Sequence, residues 1–365
     1  MAETATTEAD RAQALSEYYE GLKRHQVAPL WSYLAELMST TPRSAAVAHV
    51  WRFRDLRPEL MRAGELVTAE EAERRVLMLL NPTPEVAARG GTTGTLYAGI
   101  QLVLPGEVAR AHRHVMSALR FLIEAEDGAA TTVDGETVPM APRDLLLTPN
   151  WHWHDHHNAS SSPVIWLDGL DIPFVNFFDA CFFELSPEVR QQPAKRRDHS
   201  ARLFTPGRLN PTWERSPTWE RSVGGSSPLF RYRWADTEVV LREALEVEGS
   251  PTDGALFEYT NPHTGGPVMP TLNAFVQALR PGQHTRAHRH TTSVVYHVVS
   301  GEGTSIVDGE ALSWEQGDTF CVPSWACHEH ENASRREEAV LFSFTNQYAY
   351  QSLGLYREEL AANQD

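Results

Sequence analysis

The sequence predicts a mainly β fold in which two similar barrels follow a helical N-terminal arm. Two observations carry this prediction. The pentapeptide Arg-Ala-His-Arg-His occurs at residues 110–114 and again at 286–290, with a Pro-Gly pair at the same distance upstream of both copies. Each copy is followed by the pattern Pro-x-Trp-x-x-His-x-His-x-Asn, at 149–158 and 323–332. Such a long matched pattern indicates an internal duplication, with one barrel in each half.

The first 80 residues are predicted to form a helical arm and a lead-in to the first barrel. Residues 8–38 combine helix formers with apolar residues at helical spacing. Thr68-Ala-Glu-Glu71 has the form of a capping box, which starts a short helix.

The remaining chain is predicted to consist of two strand-rich regions joined by an insertion. From 97 to 171, and again from 256 to 348, short strand-like segments alternate with Gly, Pro and Asp turns. Between them, a segment rich in Pro, Arg and Ser contains Pro-Thr-Trp-Glu-Arg-Ser twice in tandem, at 211–222, which favours a surface linker. A helix is expected at 353–362. The predicted domains are the arm and lead-in (1–80), the first barrel with a catalytic metal site (81–185), the linker insertion (186–250), and the second barrel with its closing helix (251–365).

Composition excludes several classes of partner and favours an intracellular setting. The formal net charge of −16 argues against nucleic acid and anionic membrane, because both would repel the chain. The three cysteines, an odd number without zinc-like spacing, fit a reducing cytoplasm better than a disulfide scaffold. Neither a signal peptide nor a membrane span is expected.

Paired histidines in each half predict a metal site. Side chains alternate along a strand, so His112 and His114 point to the same face, and His154 is placed to supply a third ligand. Neutral imidazole suits zinc, copper, iron and nickel. The second half repeats the set with His288, His290 and His328. This second set is a possible second metal site, and two alternatives remain open: it binds a metal without chemistry, or it holds none.

A comparison of the two halves predicts a pocket beside the first histidine set. Tyr97, Gly99 and Gln101 share one strand face, and Gly99 corresponds to the larger Phe275. Gly99 should therefore leave space that Phe275 fills. Tyr97 is a candidate contact for a substrate ring, and Gln101 is a candidate for orienting a substrate or a metal ligand.

Charged residues of this pocket are predicted to differ between the halves. Arg120 lies on the histidine face and suits bidentate recognition of a carboxylate, although it could instead pair with an acid such as Glu124. Its counterpart is Tyr296. Asp168, which could orient the substrate or a ligand, lies fourteen residues beyond His154 and by this count corresponds to Phe342. The first half should thus keep an open, charged pocket, while the second half should have closed its own.

His156 follows the third histidine of the first set by two residues and has two equally weighted interpretations. It either reaches an oxygen bound at the metal or only hydrogen-bonds within the fold. His152 and His157 are expected to face solvent or to be structural.

The histidine motifs resemble those of the cupin superfamily. The matching pattern is Gly106, five residues, His112-x-His114, and later Pro149-x-x-x-x-His154-x-x-x-Asn158. The resemblance implies a bicupin, with two double-stranded β-helix (jelly-roll) barrels. Two departures stand out: tryptophan replaces the usual glycine at 151 and 325, and the usual glutamate of the first motif is missing. A site of three histidines without a carboxylate is therefore expected.

Within the bicupins, the chain resembles gentisate 1,2-dioxygenases and their salicylate-cleaving relatives. The resemblance rests on residues 112–121, 149–156, 166–171, 49–58 and 73–76. It implies an Fe(II) enzyme that uses O2 to open an aromatic ring between the carbon bearing the carboxylate and the neighbouring carbon bearing the hydroxyl. A homotetramer is the implied assembly.

The resemblance also assigns roles to individual residues. It implies that the iron ligands are His112, His114 and His154, and that the substrate pocket contains Arg120, Gln101, His156 and Asp168. Arg75 is implied as a second contact to the substrate carboxylate, with Arg74 as the alternative match.

The expected substrate is gentisate (2,5-dihydroxybenzoate), whose second hydroxyl makes the ring electron-rich. Salicylate, a 5-substituted salicylate and 1-hydroxy-2-naphthoate remain alternatives. A different class also remains: a non-catalytic or zinc-binding bicupin, because three histidines bind zinc as readily as iron.

Overall fold

The structure, a computed structural model, describes residues 7–205, 225–247 and 249–361. The tandem hexapeptide at 211–222 lies outside these residues. Contacts divide the chain into two units, Met1–Arg43 and Ser44–Asp365. Within the described ranges, no helix is both long and apolar enough to cross a bilayer.

The first unit contains the helical arm that the sequence predicts. Its helices are α1 (Glu8–Lys23) and α2 (Leu30–Leu37). Thr7 begins α1 with a capping box, in which its side chain and that of Asp10 each accept from the other residue's backbone N–H.

The second unit is built from short strands with a few short helices. Its lead-in contains β1 (His49–Trp51), α3 (Phe53–Leu66), α4 (Ala69–Ala72), β2 (Val76–Met78) and α5 (Pro84–Ala87). The first barrel then contains β3 (Tyr97–Val103), β4 (Val108–His114), β5 (Ala118–Glu124), β6 (Ala129–Val133), β7 (Glu136–Pro139), β8 (Leu145–Thr148), β9 (His154–Asn158) and β10 (Val164–Leu170).

The connecting segment contains α6 (Ile172–Phe177), β11 (Phe183–Leu185), α7 (His199–Phe204), β12 (Arg231–Tyr232) and α8 (Trp234–Leu245). The second barrel contains β13 (Ala255–Glu258), β14 (Asn273–Leu279), β15 (His288–His290), β16 (Val294–Ser300), β17 (Glu302–Val307), β18 (Glu310–Glu315), β19 (Thr319–Val322), β20 (His328–Asn332), β21 (Ala339–Thr345), α9 (Gln347–Ser352) and β22 (Glu358–Leu360).

Each barrel consists of two antiparallel sheets. The first has the strand orders β12-β8-β5-β10-β3-β2 and β11-β4-β9-β6-β7. The second has β1-β19-β16-β21-β14-β13 and β18-β17-β20-β15-β22. The predicted pair of jelly-roll barrels is thereby confirmed. The lead-in contributes to both, since β1 pairs with β19 of the second barrel and β2 pairs with β3 of the first.

Alternate residues of the larger sheets face two different cores. One set fills its own barrel, as Leu122 and Trp166 do in the first and Val298 and Phe320 do in the second. The other set forms one large apolar cluster shared by both barrels, to which Phe121 and Phe342 contribute stacked rings 4.3 Å apart. This division leaves the smaller sheet of each barrel to carry the histidines.

The predicted closing helix at 353–362 is wrong. A helix occupies 347–352 instead, Gly354 follows with φ +71°, and the chain then runs as the edge strand β22 beside β15. Helix propensity is overridden because β15 would otherwise present unpaired backbone groups at the sheet edge, which the extended tail satisfies.

Candidate active site

Three buried histidines meet on the smaller sheet of the first barrel. His112 and His114 lie on one face of β4, and His154 at the start of β9 is the cross-strand partner of His112. One ligand atom from each of the three lies within 4.8 Å of the others. The structure therefore brings together the predicted triad at a spacing that one metal ion can bridge.

Backbone carbonyls fix the tautomers of two histidines of this triad. Nδ1 of His114 lies 2.8 Å from the Met116 carbonyl oxygen, and Nδ1 of His154 lies 3.0 Å from the His152 carbonyl oxygen. A carbonyl can only accept, so each Nδ1 carries the proton and each Nε2 presents its lone pair. Burial lowers the pKa of His114 to about 4, which keeps the ring neutral.

Nε2 of His154 is buried and has no hydrogen-bond partner in the described part of the chain. A buried acceptor without a hydrogen-bond partner is expected of a side chain that binds a metal ion. The donor set of neutral imidazoles therefore fits a divalent transition metal.

An unusual backbone conformation leads into the third histidine. Trp151 has φ +62°, in the left-handed region that favours glycine, which explains why this motif commonly has glycine there. Its N–H donates to the His114 carbonyl at 2.7 Å, and the guanidinium of Arg113 lies 4.4 Å from the centre of its ring. These contacts offset a backbone cost of roughly 1–2 kcal/mol. Trp325 repeats the conformation in the second barrel with φ +65°.

Arg120 is buried on the histidine face and is held by two neighbours. Its Nε lies 3.3 Å from Oδ1 of Asp168, its cross-strand partner, and its Nη1 donates to Thr148. The alternative partner Glu124 is engaged elsewhere, because both of its oxygens accept from Arg57. Arg120 is therefore oriented by Asp168, which in turn accepts from the Trp166 indole N–H at 2.9 Å.

His156 is buried beside the triad, its ring centre 5.8 Å from that of His154. Its Nδ1 lies 2.8 Å from the Thr131 hydroxyl, while its Nε2 has no partner among the described residues. Burial lowers the pKa of His156 well below its ordinary value. One nitrogen is thus anchored in the fold and the other is available to a ligand.

Gln101 and Tyr97 lie on the pocket face of β3, as predicted, and the Gln101 amide nitrogen is buried without a partner in the described ranges. The prediction of open space at Gly99 is wrong. A Cβ there would lie 2.6 Å from Cγ1 of Val76 and 2.8 Å from the Tyr97 hydroxyl. Comparison of the halves missed this because Val76 comes from β2, an edge strand outside the aligned segment. The glycine permits close approach instead of leaving a gap.

The predicted contact of Arg75 with the substrate carboxylate is also wrong. Its guanidinium forms a bidentate ion pair with Glu107, at 2.8 and 2.7 Å, and donates to the Val67 carbonyl. Arg74, the alternative match, lies at the site: its Nη2 donates to the Arg110 carbonyl at 2.6 Å and contacts the His112 ring. Arg74 and Arg75 lie just before β2, and their side chains have different partners, so only Arg74 reaches the histidines.

The second triad has the same geometry as the first. His288, His290 and His328 also place ligand atoms within 4.8 Å of one another. The predicted closure of this half is wrong, because His288 and His290 line a cavity of about 170 Å³. Its lining also includes Asp253 and Glu358, which sequence reasoning did not single out.

The register of the second half corrects one further correspondence. Phe275 and Tyr296 both lie opposite Ser343, as Gly99 and Arg120 both lie opposite Asp168. The counterpart of Asp168 is therefore Ser343 and not Phe342, which belongs to the shared core. Counting from the third histidine failed because the loop after it is one residue longer in the second half, at 333–338 compared with 159–163.

Comparisons with known proteins agree with this architecture. Residues 99–170 and 275–345 each match the Cupin domain family. The chain is 42% identical over 347 residues to gentisate 1,2-dioxygenase 1 of Aquipseudomonas alcaligenes, covering 94% of this chain and 95% of the relative. It is 40% identical over 357 residues to 5-aminosalicylate 1,2-dioxygenase of a Comamonas species, covering 95% and 91%. It is 37% identical over 363 residues to a 1-hydroxy-2-naphthoate 1,2-dioxygenase of a Nocardioides species, covering 98% and 89%.

Solved structures give the same result. The salicylate 1,2-dioxygenase of Pseudaminobacter salicylatoxidans is 35% identical and superimposes with a TM-score of 0.86, covering 98% of this chain and 99% of that one. A structure of the same enzyme with gentisate has 34% identity and a TM-score of 0.86, covering 99% and 96%.

Proposed function

The chain belongs to the family of bicupin gentisate and salicylate 1,2-dioxygenases, and we propose its function on that basis. The protein is a ring-cleaving dioxygenase that acts on a 2-hydroxybenzoate and opens the ring between the carboxyl-bearing and hydroxyl-bearing carbons with O2. Gentisate is the first substrate to test, with salicylate, 5-substituted salicylates and 1-hydroxy-2-naphthoate as alternatives. The observation that carries the proposal is the pair of arginines, buried Arg120 and half-buried Arg74, beside three histidines that burial keeps neutral.

Fe(II) is the proposed metal, held by Nε2 atoms of His112, His114 and His154. When bound, it would supply open coordination positions and redox chemistry that zinc cannot supply. Three neutral ligands leave the double charge of the ion uncompensated. An anionic substrate with a carboxylate and a hydroxyl on neighbouring ring carbons suits such a centre.

The arginines are proposed to bind the substrate carboxylate. Arg120 is fixed by Asp168 and Thr148, so its guanidinium needs little reorganisation when the carboxylate arrives. Arg74 adds positive charge from the β2 side of the same pocket. Fixing the carboxylate also fixes the ring, and with it the carbon that must react.

His156 and Gln101 are proposed to hold the oxygens at the reacting carbons. When the Thr131 hydroxyl donates to Nδ1 of His156, Nε2 carries the proton and donates to an oxygen of the bound substrate. The Gln101 amide nitrogen is a second buried donor for the same region. Both groups are neutral donors that favour negative charge developing on oxygen.

The test is oxygen uptake by protein reconstituted anaerobically with Fe(II), using the four substrate classes in turn. We expect uptake of about one O2 per ring opened, a new ring-opened absorbance, and both atoms of ¹⁸O2 in the product. The His154→Ala variant is the control, because it removes a ligand from the centre of the site. Absence of uptake with every substrate, from protein shown to contain iron, would overturn the proposal.

A homotetramer in the cytoplasm is the proposed setting. Phe177, Phe178, Phe182 and Phe183 are all more than half exposed in the single chain, an apolar patch of the kind that subunit interfaces cover. The free thiols of all three cysteines suit a reducing compartment. Light scattering at micromolar concentration tests the assembly, and a monomer would contradict it.

A further inference from the structure

We propose that the second barrel contains a separate divalent-metal site, formed by His288, His290 and His328, which holds its ion but does not accept the aromatic acid. The two sites are related by the duplication, yet their surroundings have opposite charge. This inference uses the proposed function only for that contrast, since metal binding at the second triad is measured independently of ring cleavage.

Two histidines of the second triad repeat the backbone contacts of their counterparts in the first. Nδ1 of His290 lies 2.9 Å from the carbonyl oxygen two residues ahead, as in His114. Nδ1 of His328 lies 3.0 Å from the carbonyl oxygen two residues behind, as in His154. These contacts again protonate Nδ1 and direct the Nε2 lone pair inward. Histidines that merely filled a core would have no need of this shared arrangement.

One ligand atom of the second triad is unsatisfied. Nε2 of His328 is buried, with the residue 1% exposed, and has no hydrogen-bond partner in the described ranges. The ring centre of His328 lies 4.3 Å from that of His288 and 5.1 Å from that of His290, and these two histidines line the cavity. A buried acceptor facing two other imidazoles is the observation that points to a cation.

The charges around the two triads are inverted. In the first barrel, the segment before edge strand β2 places Arg74 against His112. In the second, the segment before the equivalent edge strand β13 places Asp253 beside His288, with Oδ1 3.8 Å from Nε2. A cation beside the first histidine of one triad is thus replaced by an anion beside the first histidine of the other.

Two further differences remove the anion-binding character of the second site. The positions of Arg120 and Asp168 are taken by Tyr296 and Ser343. Glu358, the cross-strand neighbour of His290 on β22, adds another carboxylate to the lining. Among the described residues that line this cavity there is no lysine or arginine.

The chemistry follows from these charges. Carboxylates of Asp253 and Glu358 neutralise a dication that the three imidazoles hold, and either can enter its coordination shell, as zinc, manganese and iron all accept. The same carboxylates repel an aromatic carboxylate, which at the first site meets two arginines. The second ion therefore has a structural role, joining the C-terminal strand β22 to the barrel.

The protein is reconstituted with Fe(II) or Zn²⁺ and passed through gel filtration, and the metal ions per chain are then measured by inductively coupled plasma mass spectrometry. We expect about two ions in the wild type, about one in His154→Ala, about one in His328→Ala, and none in the double variant. His328→Ala should keep its oxygen uptake, whereas His154→Ala should lose it. One ion in the wild type that persists in His328→Ala would overturn the proposal.

Two additional measurements guard against a folding defect. His328→Gln, which keeps a polar side chain of similar size, should lose the same ion, with an unchanged circular dichroism spectrum. Asp253→Asn should weaken binding at this site roughly 10-fold or more in a chelator competition, as loss of a supporting carboxylate commonly does. Full metal retention by both variants would also contradict the proposal. A failure of ring cleavage in the wild type with two ions bound would count against the proposed function alone.

Discussion

Replacement of Arg120 tests the proposed recognition of the substrate carboxylate. A guanidinium has five N–H donors, and in this structure Nε faces Asp168 while Nη1 donates to Thr148. Its remaining donors have no partner among the residues that the structure describes and can bind a carboxylate. Charge-assisted hydrogen bonds contribute about 1.5–3 kcal/mol each. At about 1.4 kcal/mol per tenfold change, Arg120→Gln should lower kcat/KM by roughly 10- to 150-fold if one such bond is lost, and by more if two are.

The same change also affects folding, and the design must separate the two effects. Asp168 is buried, and loss of its partner leaves an unpaired carboxylate at a cost of about 3–5 kcal/mol. The double variant Arg120→Gln/Asp168→Asn removes both charges. We expect it to recover most of the thermal stability lost by the single variant, but not the activity.

The assay is steady-state oxygen uptake with gentisate, read beside thermal unfolding followed by circular dichroism. Arg57→Gln is the matched control, because it breaks another arginine–carboxylate pair that is partly exposed and outside the pocket. That exposed pair should contribute about 0–1 kcal/mol to stability, and its loss should leave kcat/KM unchanged. The reasoning is refuted if folded Arg120→Gln retains wild-type kcat and KM, or if Arg57→Gln loses as much activity.

Three further predictions concern other parts of the site and its support. His156→Ala should lower kcat roughly 100-fold while the iron content stays unchanged, because Nε2 of His156 is proposed to donate to the substrate and not to bind the metal. Loss of iron from this variant would identify His156 as a metal ligand instead. Gly99→Ala should destabilise the protein by about 1–3 kcal/mol in urea unfolding, because its Cβ would meet Val76, and Val76→Ala should relieve this; equal stability of wild type and Gly99→Ala would contradict the packing. Burial raises the pKa of Asp171 to about 7 from 3.8, so the unfolded chain releases this proton first as pH rises. The stability of the wild type relative to Asp171→Asn should therefore be highest below pH 3.8 and fall as pH rises towards about 7; a difference independent of pH would exclude the effect.

Local sequence patterns predicted much of the fold and the positions of the histidines. The repeated pentapeptide predicts two barrels, since a duplicated segment of this length has to fold twice into the same unit. Alternation along a strand places His112 and His114 on one face, and this holds whatever packs around them. The spacing to His154 adds the third ligand because it lies within the same repeated motif.

The pairing of edge strands determined features that the local sequence pattern could not predict. Residues of β2 and β22 are far in sequence from the strands they join, and their pairing satisfies backbone groups that only the assembled sheet leaves open. Gly99 was therefore misinterpreted as a gap, because Val76 reaches it across a sheet. The tail at 353–362 was misinterpreted as a helix for the same reason.

The sequence by itself determined the duplication, the alternation of faces and the two histidine triads, because each depends on neighbours within one motif. Tertiary structure alone decided that Arg74 and not Arg75 faces the first triad, and that Asp253 lies beside the second. It also set the correspondence of Asp168 with Ser343, through cross-strand register. The charge of each pocket depends on side chains from separate strands, and only the folded sheets bring those strands together.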